Sequence, residues 1–181
     1  MNRLLKKYSE SFKRYGFANT IRHIVSKIGI KINIYDDIWK KRIYLSKKIN
    51  EICQGTIIDG IYKGTKLIYS SDYYLSKPAY LLGCYEKEVQ QAIYKFSNKE
   101  NLKYFINIGA GEGYHSVGVK NANLFENSIA FELKKKDRET IKQNFNLNNI
   151  FDGFKIYEKA NIDFLKILEK KIELSKSLFL F

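Results

Sequence analysis

The chain has 181 residues, enough for one domain with an extension. Its 45% apolar and 15% aromatic content supports a packed core and excludes a disordered chain. The net charge of +13 is uneven: residues 1–50 hold 13 Lys/Arg against 3 Asp/Glu, and residues 51–181 hold 19 against 16. Of the 32 basic residues 27 are Lys and 5 are Arg. Groove and phosphate readers lean on arginine forks, so nucleic acid is disfavoured as a partner. The charge reads as a solvated basic face. Contact with an anionic membrane or glycan through residues 1–54 is the alternative.

Residues 1–54 read as a basic helical extension. Leu4, Leu5, Tyr8, Phe12 and Tyr15 recur at spacings of three and four, and Ile21, Ile24, Val25 and Ile28 continue the stripe after Gly16. Ile38, Ile43, Leu45 and Ile49 predict another helix to about Cys53. No apolar run reaches the roughly 20 residues needed to span a bilayer, and the N-terminus lacks the apolar stretch of a signal peptide. Cys53 and Cys84 are far apart and read as free thiols. The expected location is therefore cytoplasmic, with peripheral membrane contact left open. Two histidines, His23 and His115, are too few for a His-built metal site, and no metal is expected.

Residues 55–103 lead into the core. Thr56–Tyr69 alternates β-branched and aromatic residues around Gly60 and Gly64, which predicts a small β-hairpin or meander. Pro78 suits the first turn of a helix. Leu81, Leu82, Val89, Ile93 and Phe96 then give a helical face to about Ser97, and Asn98–Lys103 is a polar connector.

Residues 104–181 alternate strand and helix: strand Tyr104–Ile108, helix Tyr114–Asn121, strand Ser128–Phe131, helix Lys135–Leu147, strand Phe154–Tyr157, helix Asp163–Glu173 and strand Leu178–Phe181. That alternation implies an α/β unit with a parallel sheet. The first strand breaks into Gly109, Gly111 and Gly113, and the second is tipped by Glu132, nineteen residues after the last glycine. A glycine turn with close main-chain approach, followed by a carboxylate for two ribose hydroxyls, is half of a nucleotide-binding unit. The dinucleotide fingerprint G-x-G-x-x-G would need glycine where Tyr114 stands, and Glu112 in the loop is expected to repel a pyrophosphate. S-adenosylmethionine, an adenosine carrying a sulfonium and no phosphate, fits better. A tight strand-to-helix turn with no ligand is the plainer alternative.

The run Phe105-Ile106-Asn107-Ile108-Gly109-Ala110-Gly111-Glu112-Gly113-Tyr114, followed by Glu132, resembles the S-adenosylmethionine-dependent methyltransferases. Leu82-Gly83-Cys84-Tyr85-Glu86, ahead of a helix and the first strand, resembles their FkbM-like sugar O-methyltransferase branch. The resemblance covers about residues 55–181 and implies a Rossmann-like methyltransferase fold. Gly109, Ala110, Gly111 and Gly113 would hold the amino-acid end of S-adenosylmethionine, and Glu132 the ribose. Ala160 and Asn161 fall where the family contacts adenine. The methyl acceptor would be a glycan or small hydroxylated molecule.

Two departures stand out. The family carries Asp or Glu where this chain has Asn107, so the methionine ammonium gets no counter-charge. The family also places an acidic residue directly after the fourth strand, whereas this sequence stops at Phe181. The expectation is thus a partial sheet of the first four strands, with room for a complementing chain. Catalytic residues are not identified; His115, as general base, and Glu86, as site carboxylate, are the candidates. Three readings stay open: a glycan methyltransferase, a truncated non-catalytic cofactor-binding fragment, and a basic membrane- or nucleic-acid-associated module.

Overall fold

The computed structural model of the chain describes residues 34–68, 77–99, 101–161 and 163–181. The stripes expected between Leu4 and Ile28 lie outside the described residues. The chain divides into two compact units, Met1–Tyr44 and Leu45–Phe181. Helix α1 (Ile34–Cys53) begins in the first and ends in the second. Its second half buries Ser46 and Cys53, seven residues and two turns apart, while Leu45 and Ile52 are exposed. The buried face is therefore rotated from the apolar spacing that marks the helix in the sequence.

Residues 55–68 fold back on themselves without forming strands. One antiparallel bridge, Thr56 to Lys66, stands where a hairpin ladder was expected. Gly60 and Gly64 take φ of 77° and 88°, and the turn between them is too tight for the ladder to extend. Ile57, Tyr62 and Leu67 leave this turn and enter the core. Helix α2 (Lys77–Leu81) carries Pro78 in its first turn, and helix α3 (Lys87–Lys99) follows. The continuous face read from Leu81 to Phe96 is broken between them. Gly83 sits at φ 71° against the Asp59 carbonyl, where no side chain fits.

The α/β unit follows the sequence closely. Strands β1 (Tyr104–Ile108), β2 (Asn127–Phe131), β3 (Phe154–Tyr157) and β4 (Ser177–Leu180) form one parallel sheet in the order β3-β2-β1-β4. That is the strand order of a Rossmann-type half. The intervening helices are α4 (Tyr114–Asn121), α5 (Lys135–Leu147) and α6 (Phe164–Glu169), with a 3₁₀ turn at Leu174–Lys176. Helix α6 is shorter than expected, because Lys171 and Ile172 both turn their N–H groups onto the Leu168 carbonyl.

Alternation along the strands sends side chains to two covered faces. Ala130, Phe154 and Ile156 meet Val117, Ile141 and Phe145 of α4 and α5. Phe105, Leu178 and Leu180 meet the residue 55–99 segment through Ile57, Tyr62 and Ile93. On the opposite face Ile106, Ile129 and Phe131 pack on Leu168 and Phe164 of α6. Fully burying a Val, Ile, Leu or Phe side chain, as at Phe105, Ile106, Val117, Ile141 and Phe145, contributes about 1.5–3 kcal/mol. The result is a rigid sheet whose strand ends carry the glycine loop and Glu132. Among the described residues no helix is long and apolar enough to cross a membrane.

Candidate functional site

The site is built where β1 and β2 end. Gly109 and Ala110 both donate their N–H to the Phe131 carbonyl, which ties the start of the glycine loop to the tip of β2. Gly109, Gly111 and Gly113 take φ of 80°, 54° and 87°. At Gly109 and Gly111 an added Cβ would meet nothing within 4 Å, so main chain lies open there. At Gly113 it would meet Ile141 at 3.0 Å, so this glycine serves helix packing. Glu132 Oε2 accepts the Gly111 N–H at 2.8 Å, and Oε1 accepts the Lys134 N–H at 2.9 Å. Arg138 donates to the carbonyls of Glu132 and Leu133 at 2.8 and 2.6 Å and fixes the strand tip from behind.

Beside this tip is a cavity of about 270 Å³ lined by Ile108, Gly109, Phe131, Glu132, Leu133, Glu158, Lys159 and Ala160. Gly109, Glu132 and Ala160 are sequence candidates; the structure brings them together. Asn161 is not among the lining residues, and its carbonyl instead accepts the Phe164 N–H at the start of α6. Asn107 is buried and donates to Ser116 Oγ at 3.1 Å. Ala110 is buried in the contact with α5. Leu133, Glu158 and Lys159 were missed. Each lies within two residues of the end of β2 or β3, and ligands of open α/β sheets bind at the C-terminal strand ends, so strand-end position is the available signal.

Glu112 does not face the cavity as a repelling carboxylate: its side chain is buried and paired with Lys77 Nζ at 2.6 Å. The departure from dinucleotide spacing has a steric basis. Tyr114 is buried with its ring stacked on Tyr80, centroids 4.5 Å apart, where the dinucleotide motif needs a glycine.

The catalytic candidates His115 and Glu86 are in contact. His115 Nε2 lies 2.9 Å from Glu86 Oε2, and Nδ1 lies 3.0 Å from the Tyr62 hydroxyl. Burial pushes the Tyr62 phenol far above its ordinary range, with Tyr114 and Glu86 adding to it, so the hydroxyl keeps its proton. Tyr62 therefore donates to Nδ1, and the Nε2–H donates to Glu86; we assign that tautomer to His115 on these partners. Desolvation lowers the His115 pKa below its ordinary 6.5, with Glu86 partly opposing. The imidazole is neutral at pH 7, and only Glu86 of the three reaches solvent. Glu86 holds φ 46°, a strained conformation for a residue with a side chain. Among the described residues no group of three or more His, Cys, Asp or Glu is arranged to hold a metal. Cys53 is buried and Cys84 exposed.

The chain matches no protein-family model and no curated protein. Among solved structures it is similar to the crystal structure of coclaurine N-methyltransferase bound to N-methylheliamine and SAH. The identity is 13% and the TM-score 0.36, over 84% of this chain and 44% of that one. The chain thus spans less than half the length of the structure it matches.

Proposed function

We propose that the chain binds S-adenosylmethionine over Gly109, Gly111 and Glu132 and methylates a hydroxyl of a sugar or other small acceptor. The observation that carries this reading is the 2.8 Å bond between Gly111 N–H and Glu132, beside a cavity of nucleoside size. It joins an open main-chain cradle to a carboxylate suited to two ribose hydroxyls. The bare Cα atoms of Gly109 and Gly111 fit close approach by the ligand, and Ala160 leaves room beside the adenine. When bound, the cofactor supplies an electrophilic methyl group.

The chain's own residues have separate tasks in this reading. Glu132 accepts from the ribose and holds the loop. Glu86 takes the proton that the acceptor hydroxyl releases, and His115 directs its carboxylate through the Nε2–H bond. Transfer depends mainly on holding acceptor and donor in line. The excess of Lys in residues 1–50 supports peripheral contact with an anionic membrane or glycan surface. Asn107, neutral and bonded to Ser116, favours a second reading in which the nucleoside is held weakly and no transfer follows.

Calorimetric titration with S-adenosylmethionine, S-adenosylhomocysteine and NAD⁺ tests the proposal. Saturable binding of the first two, with NAD⁺ silent, is expected. Preference for NAD⁺, or no binding by a folded chain, overturns it. Methyl transfer from S-adenosylmethionine to a panel of simple glycosides then separates the two readings.

A further inference from the structure

Two buried side chains tie the glycine loop to the backbone of a residue far outside it. Lys77 Nζ donates to the Ile68 carbonyl at 2.6 Å and pairs with the Glu112 carboxylate at 2.6 Å. Its side chain is 1% exposed and that of Glu112 is 5% exposed. Asn144 of α5 accepts the Ile68 N–H at 2.7 Å and donates to the Glu112 carbonyl at 3.0 Å. Ile68 and Glu112 are thus joined twice, once by a cation from α2 and once by an amide from α5. Asn148, one turn further along α5, accepts the Lys66 N–H at 2.8 Å and donates to the carbonyl of the same residue at 2.7 Å. These amide side chains take the place of a neighbouring strand for residues 66–68.

A buried Lys–Glu pair is a poor stabiliser compared with an apolar pair of equal volume, because both charges are desolvated. What it does supply is direction: the carboxylate is held at one point, and so is the main chain on either side of it. Glu112 lies between Gly111 and Gly113, which hold φ of 54° and 87°, so its side-chain and carbonyl ties act on the backbone between the two. We propose that Lys77, acting through Glu112, and Asn144 are positioning residues that hold the glycine loop in its ligand-accepting shape. The ligand half of this inference rests on the nucleoside reading of the site; the loop half does not.

The test is amide hydrogen exchange at Gly111 and Gly113 in the ligand-free chain, referenced to Ile106 and Ile129 in the sheet. The variant Lys77→Met/Glu112→Met removes the ionic link and leaves no unpaired charge. Asn144→Ser cuts the other link. At least tenfold faster exchange at the two glycines in either variant, with the sheet amides unchanged, is expected. A tenfold or larger rise in the Kd for S-adenosylhomocysteine should accompany it. A purely structural role would speed sheet and loop amides together, and that result, or parental exchange at both glycines in both variants, overturns the proposal. If the parent chain binds no S-adenosylhomocysteine, the nucleoside reading fails, and the exchange measurement still decides the clamp.

Discussion

The ring of Tyr62 closes directly on the bare Cα of Gly118 in α4: a Cβ there would lie 2.5 Å from Tyr62 Cγ. Glycine inside a helix costs about 1 kcal/mol relative to alanine, so its presence is explained by what it admits. The contact seats a fully buried phenol against the helix and delivers its hydroxyl to His115.

Gly118→Ala should therefore destabilise the chain despite the better helix propensity. Overpacking of this kind costs about 1–3 kcal/mol, and the obstacle is ring carbon, with no flexible end to swing aside. Urea unfolding of the variant and the parent chain checks the sign. A more stable variant would mean that the ring is not held against the helix.

Glu132→Ala should abolish binding of S-adenosylhomocysteine and loosen the loop as well. The part-buried Gly111 N–H loses its acceptor, and losing a hydrogen bond of this kind costs about 0.5–1.5 kcal/mol. Glu132→Gln keeps one acceptor oxygen and should fold like the parent while binding more weakly. Calorimetry and thermal melts on both variants separate the two effects. Parental affinity in the alanine variant would remove Glu132 from the site.

Stability should fall as the pH drops below about 6.5. His115 has a folded pKa below its ordinary 6.5 because burial disfavours the imidazolium. Between the folded value and 6.5 the unfolded chain binds more protons, so stability rises with pH across that window. The contribution is fully present above 6.5 and is lost as pH falls toward the folded value. His115→Gln, whose amide can still accept from Tyr62 and donate to Glu86, should flatten this segment of the profile. Unfolding midpoints at pH 7.5 and pH 5.5 for both proteins decide it; equal losses in the two would assign the pH dependence elsewhere.

Short-range pattern carried most of the fold. The four strands and helices α4 and α5 were legible as apolar runs and periodic faces, because each element buries a face set by its own spacing. The tight turn at residues 55–68 was not, since whether β-branched residues pair depends on where Gly60 and Gly64 turn the chain. For the site, the glycines and Glu132 were legible because β1 and β2 end there in register. The Lys77–Glu112 and Tyr62–His115 pairings were not. They join residues 35 and 53 positions apart and depend on how α2 and the 55–68 turn pack onto the sheet. Asn107 was read for its missing charge, but its hydrogen bond to Ser116 came only with the fold.

The contrast between the two thiols offers a practical handle. Cys53 is buried, with its pKa raised by desolvation, while Cys84 stands exposed two residues before Glu86. A maleimide dye at neutral pH should attach at Cys84 alone, without any engineered residue. The fluorophore would then sit beside the one carboxylate of the His115 relay that meets solvent. Its emission would report any molecule that settles against Glu86.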